Sequence, residues 1–206
     1  MTNVVPHGHP IIDWGWAGSG LETPSGDLHV VAPFPGGVLV ALLDGLGHGE
    51  EAAAASRAAL PVLHDHAGDS LLLLVPRCHD ALRRTRGVVM SLASFRTDDS
   101  SMTWTGIGNV EGVLLRARGS PERPDESISV RGGVVGYQLP PLRADALLVF
   151  PGDTLIMATD GIRSGFATGV ATESSPQEIA ESILARFAKG TDDAHIVVAR
   201  YLGAGQ

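Results

Sequence analysis

The run Gly37-Val38-Leu39-Val40-Ala41-Leu42-Leu43 is followed by Asp44-Gly45-Leu46-Gly47-His48-Gly49 and then by the Ala-rich Glu50-Glu51-Ala52-Ala53-Ala54-Ala55-Ser56-Arg57. A continuous apolar run bounded by glycines predicts a strand buried on both faces, with Asp44 where the strand leaves the core. Gly45, Gly47 and Gly49 let the backbone turn sharply and bring its carbonyls close to a ligand. Upstream, residues 28–34 read as another strand, and the short connection Pro35-Gly36-Gly37 predicts an antiparallel hairpin. Asp27 opens one arm and Asp44 closes the other, so the hairpin register puts both carboxylates at one end of a sheet. The pattern returns in Asp153-Thr154-Leu155-Ile156-Met157-Ala158-Thr159-Asp160-Gly161, a second strand ending in Asp-Gly.

The remaining elements follow from period and punctuation. A first strand is expected over residues 11–18, and helices over 50–66 and 71–86, the latter capped by Asp69-Ser70. Pro61 and Pro76 are expected to kink these helices or split off a turn. Strands follow at 88–95, 101–107 and 110–116, with Asp98-Asp99 and Gly108-Asn109 as the turns. A polar loop over 119–126 and an irregular connection over 132–141 precede strands at 146–150 and 153–159. Ser175 with Pro176 opens a helix to about Phe187, and residues 194–201 form the last strand. Strand meanders with helices inserted between them predict an α+β fold of antiparallel sheets layered with helices.

The chain has 206 residues, enough for one sizeable domain, and the reading is a single domain over 1–206. With 44% hydrophobic and 18% charged residues a packed core is feasible. A net charge of −8 argues against a nucleic-acid surface, which needs clustered Lys and Arg. Cys78 is the one cysteine, which excludes an internal disulfide and a cysteine-based zinc cluster. No apolar run approaches the roughly 18 residues of a membrane span, and residues 1–7 lack the features of a signal peptide. The expectation is a cytoplasmic, monomeric protein with no membrane or nucleic-acid partner.

Asp27, Asp44, Asp160 and the pair Asp192-Asp193 each place an acid at a strand end. One such Asp is most often part of an ordinary turn. Several, two of them tied by register, point to a site for hard, oxygen-liganded cations such as Mg²⁺ or Mn²⁺. Two such ions about 3.5–4 Å apart clamp a phosphate ester and turn a bridging water into a hydroxide nucleophile. Without cations the acids repel one another and resist ionisation. An Asp-x-Asp phosphoryl-transfer motif is absent, and the glycines of Gly106-Ile107-Gly108-Asn109 join two strands rather than opening a helix, which argues against a nucleotide site.

Ser25-Gly26-Asp27, Asp44-Gly45-Leu46-Gly47-His48-Gly49, Ala158-Thr159-Asp160-Gly161 and Asp192-Asp193 before a Val-rich strand resemble, in order, the motifs of the metal-dependent PPM protein serine/threonine phosphatases. More narrowly they resemble the branch related to the sporulation phosphatase SpoIIE. Residues 86–93, 105–112 and 132–137 are similar to its RsbX-like stressosome phosphatases. The resemblance implies a four-layer αββα sandwich with two Mn²⁺ or Mg²⁺ ions at one edge of the central sheets. It implies that Asp44 bridges both ions and the Gly45 carbonyl contacts one. Asp160 and Asp192 hold the other, and Asp27 acts largely through metal-bound water. Asp193 supports Asp192, with the reverse assignment as the alternative. The substrates implied are phosphoserine and phosphothreonine on STAS-domain stressosome proteins, scaffold and antagonist alike. A non-catalytic module of the same fold is the rival reading. His48 is read either as a proton donor to the leaving oxygen or as a solvent-facing loop histidine. Three departures from the pattern stand out: His195 where Thr is usual, no basic residue beside Asp27, and a short segment between Asp160 and Asp192 that leaves little room for a flap or a third-metal acid.

Overall fold

A computed structural model describes residues 11–21, 23–117 and 123–203. Eleven strands and three helices are assigned among them, and two sheets form the centre. One sheet contains β2 (Asp27–Phe34), β3 (Gly37–Gly45), β4 (Val88–Arg96), β5 (Ser101–Ile107) and β8 (Val130–Arg131), in that order, with β9 (Asp145–Leu148) also on β5. The other runs β1 (Ile12–Ser19), β11 (Ala194–Tyr201), β10 (Thr154–Ala158), β6 (Glu111–Leu115) and β7 (Glu126–Ser127). Helices α1 (Gly49–Asp65) and α2 (Leu71–Leu82) cover the first sheet, and α3 (Pro176–Phe187) covers the second. The order of layers is therefore αββα, as the sequence resemblance implies. All pairings are antiparallel except the two-residue contact of β5 with β8.

Side-chain alternation along β3 accounts for the layers. Val38, Val40 and Leu42 enter the core between the sheets, whereas Leu39, Ala41 and Leu43 pack beneath α1 and α2. A central strand covered on both faces needs an unbroken apolar run, which is what residues 38–43 provide. β10 repeats the logic: Leu155 and Met157 join the core between the sheets, and Ile156 and Ala158 face α3.

Several local expectations change. Pro61 and Pro76 remain inside continuous helices. Burial of Leu63 next to the first, and of Leu74, Val75 and Cys78 around the second, outweighs the lost backbone bonds. α2 stops at Leu82 rather than near Arg86, because the Thr85 hydroxyl donates to the Leu82 carbonyl and Gly87 turns at φ +82°. Ser70 occupies the N-cap of α2 without a side-chain capping bond, and the Asp69 carboxylate pairs with Arg77 at 3.1 Å. Ser175 caps α3 through a reciprocal pair with Glu178, with Pro176 at the start as expected. Part of the polar loop over 119–126 lies outside the described residues, as do His7 and His9. Pro151-Gly152 and Gly108-Asn109 both carry the chain from one sheet to the other: β9 pairs with β5 while β10 pairs with β6 and β11.

α3 meets its sheet at Gly15, where any Cβ would run into the backbone of Gln177. Gly15→Ala should therefore lower stability by about 1–3 kcal/mol. Gly132→Ala, with open space around it, should stay within about 0.5 kcal/mol of wild type. Urea denaturation of both variants checks this.

Candidate metal centre

Strand register brings the acids to one end of the sandwich. Asp27 and Asp44 are direct partners across the β2–β3 ladder, as the hairpin reading requires. Asp44 faces Val89 on β4, and Met90 faces Ile107 on β5, so the Gly108-Asn109 crossover leaves at that same end. In the other sheet Ala158 pairs with Ile196 and Glu111, so Asp160 and Asp192 lie just beyond paired positions of β10 and β11. On the core side of β3, Asp44 takes the place of the next apolar residue after Leu42.

Asp44, Asp160 and Asp192 line one cavity of about 310 Å³, together with Leu46, Gly47, His48, Val89 and Asn109. Asn109 donates from Nδ2 to Asp160 Oδ2 at 2.8 Å. His48 is exposed at the N-cap of α1. Gly45 does not line the cavity; α1 crosses it so closely that a Cβ there would strike the Ala52 carbonyl. Asp27 is buried and accepts a 2.8 Å bond from the Thr159 hydroxyl, which also receives the His195 N–H.

The adjacent pair divides clearly. Asp193 is buried and accepts bonds from Leu21 N–H, Ser25 Oγ and Gly26 N–H, each at 2.8 Å, so it ties the last loop to the turn before Asp27. Asp192 is exposed and reaches the cavity, with one oxygen accepting the Asp193 N–H at 2.9 Å. Gly161 makes the approach possible, since a Cβ there would overlap the Asp193 carbonyl.

The charges are unmatched. Among the described residues, none of Asp27, Asp44, Asp160 and Asp192 is ion-paired with Arg or Lys. Burial, then Asp44, push the Asp27 carboxyl up to about 8 against the opposing Thr159 bond. Burial, then Asp160, Asp192 and Asp193, push Asp44 up to about 7. The donor set is oxygen only and suits a hard divalent cation. Among the described residues no three His, Cys, Asp or Glu side chains enclose one point. That fits ions such as Mg²⁺, which keep several waters and take only one or two carboxylates each.

Several neighbours carry no signal in the linear sequence. Asn109 reaches Asp160 only through the sheet-to-sheet crossover. Although no basic residue adjoins Asp27 in sequence, Arg57 lines a second cavity beside it, and Arg86 lies where a Cβ on Gly47 would come within 2.6 Å of its Nη1. His195, in place of the usual Thr, pairs through Nε2 with His29 Nδ1 at 2.8 Å. Burial and His29 push His195 down to about 3. His79 accepts from the Gly136 N–H and His66 lies by Asp69, both away from the cavity. Cys78 is fully buried, its thiol pushed up to about 12 by burial.

The model of the family described as stage II sporulation protein E matches residues 35–202. The chain belongs to the SpoIIE family. The phosphoserine phosphatase RsbX of Bacillus subtilis (strain 168) is 26% identical over 87 residues, 42% of this chain and 44% of that protein, so the match spans less than half of the relative. A chain from a solved structure of the bacterial stressosome, described as a modular system adapted to control secondary messenger signalling, superposes with a TM-score of 0.81. It is 26% identical, over 92% of this chain and 99% of that one. RsbX in complex with magnesium shares the fold at a TM-score of 0.82 and 19% identity, over 94% and 97% of the two chains.

The raised carboxyls set a sign for the metal-free protein. An acid that ionises near 4 when unfolded and near 7 or 8 when folded binds more protons in the folded state across that window. Stability in EDTA should thus fall as pH rises from about 4 to about 8. Asp27→Asn should flatten the decline, and thermal melting in EDTA across that range checks it. A melting temperature that rises over the window contradicts the assignment.

Proposed function

We propose that this chain is a metal-dependent protein serine/threonine phosphatase, acting as one monomeric domain over 1–206 in the cytoplasm. The observation that carries the reading is the convergence of Asp44, Asp160 and Asp192, from both sheets, on one cavity, none of them ion-paired with Arg or Lys among the described residues. Membership of the SpoIIE family and the likeness to magnesium-bound RsbX support it.

Asp44 and the Gly45 carbonyl would hold one of two Mn²⁺ or Mg²⁺ ions, with Asp44 shared between both; Asp160 and Asp192 would hold the other. When bound, such ions supply Lewis acidity and a water acidified for attack on a phosphate ester. The chain's own contribution is placement. Asn109 orients Asp160 through its amide, and Asp193 fixes the backbone that presents Asp192. Thr159 anchors Asp27, which would act on the ions through water. His48 is exposed and lines the same cavity, which supports either of its two readings, a solvent-facing loop histidine or a proton donor to the leaving oxygen.

The substrates we infer are phosphoserine and phosphothreonine on STAS-domain scaffold and antagonist proteins of a stressosome. The likeness to a chain of the bacterial stressosome supports this, as does the RsbX relative. Dephosphorylation there would reset a stress signal. Among the described residues no helix is long and apolar enough to cross a membrane.

Hydrolysis of p-nitrophenyl phosphate and of phosphopeptides should require Mn²⁺ or Mg²⁺ and stop in EDTA. Asp44→Asn and Asp192→Asn should abolish it without lowering the melting temperature in EDTA, since each removes a repelling charge. Asp193→Asn, which costs the protein part of a three-bond clamp, should lower both melting temperature and turnover, the latter about 10–100-fold. Absence of turnover with every metal, by folded protein and toward a phosphorylated STAS protein too, leaves the non-catalytic module as the surviving reading.

A further inference from the structure

A second cavity, of about 420 Å³, opens between β1, β2 and α1. It exceeds the carboxylate cavity in size and lies in the range of small-ligand pockets, about 300–1,000 Å³. Resting on the phosphatase reading, we propose that this cavity receives an uncharged, bulky side chain of the phosphoprotein substrate, one or two positions from the phosphorylated residue, with Trp16 as the main contact.

The second cavity lies beside the carboxylates. Gly18 and Ser19 pair with His195 and Ala194, so β1 ends at the same edge as the carboxylates. Asp27 lines the cavity and stands directly opposite Asp44, which lines the other one. Cross-strand partners lie about 4.5–5.5 Å apart. An extended peptide advances about 3.3–3.6 Å per residue. A phosphoryl group held over Asp44 therefore has its neighbouring side chains within reach of the second cavity.

Its wall presents a braced aromatic ring. Trp16 is 39% exposed, although its indole stacks on the His195 imidazole with centroids 5.1 Å apart and 4° between planes. His29 lies 5.0 Å from both rings. The bond between His29 and His195 joins the two sheets and braces the indole from behind. A tryptophan pre-oriented at a concave, partly exposed site is the usual anchor of a recognition surface, being large and rigid.

Leu28, Pro24 and Ala53 add apolar surface. Arg57 in the wall is held by Glu50 at 2.5 Å, so it offers little attraction to an acidic side chain, and Asp27 would repel one. The apolar surface of the wall then favours an uncharged side chain.

The test compares phosphopeptides carrying Trp, Leu, Gly or Asp beside the phosphoserine, with Mn²⁺ present, on wild type, Trp16→Ala and Trp16→Phe. The wild type should prefer Trp or Leu over Gly or Asp by about tenfold in kcat/KM. Trp16→Ala should erase that preference and leave p-nitrophenyl phosphate turnover within about twofold of wild type. Trp16→Phe should retain most of the preference. Indifference of the wild type to the flanking residue overturns the proposal, as does an equal loss toward both substrate kinds in Trp16→Ala. A wild type inactive on p-nitrophenyl phosphate and on every peptide brings down the phosphatase reading itself, an outcome distinct from either.

Discussion

Asp27 and Asp44 face each other across a hydrogen-bonded ladder, with Asp160 and Asp192 close enough to raise the proton affinity of Asp44. Like charges in directly opposed strand positions repel. Burial compounds the cost, because it removes the water that would screen them. The same fold shows what a settled carboxylate looks like. Asp153, at the far end of β10, is fully buried yet pairs with Arg116 at 2.9 Å and Arg123 at 3.1 Å. Among the described residues no Arg or Lys pairs with the acids at the other end, and backbone and neutral groups hold them close.

That arrangement is built largely from backbone and neutral groups. Asp193 clamps the turn before Asp27, Ser56 donates to the Gly26 carbonyl, and Thr159 joins Asp27 to the second sheet. Gly45 and Gly161 let α1 and the 192–193 loop approach at distances any side chain would forbid. The restraints come from both sheets and from α1, so the geometry is held by the whole sandwich. On the proposed reading, a cation at this end would meet acids already held close together.

Much of this was legible in the sequence, for identifiable reasons. The β2–β3 register follows from a two-residue connection, so Asp27 opposite Asp44 needed only the hairpin. The layers followed from continuous apolar runs and from helix caps such as Ser175. What was hidden depends on contacts between sheets. The reach of Asn109 to Asp160 and the meeting of His29 with His195 follow from how β5, β6, β2 and β11 stack, which strand periodicity does not encode. β7 and β8 are two residues each, too short to leave a pattern. Asp192 and Asp193 are indistinguishable as neighbours in sequence; only the three bonds to Asp193 separate a structural acid from one that faces the cavity.

We propose that cations hold this end together and that Asp44 is shared between them. The most direct measurement is the stoichiometry of Mn²⁺ binding, by electron paramagnetic resonance or calorimetry, on wild type and Asp44→Asn. Two ions per wild-type chain, both lost or greatly weakened in the variant, is the predicted result. An Asp44→Asn protein that holds Mn²⁺ as fully and as tightly as wild type would contradict it.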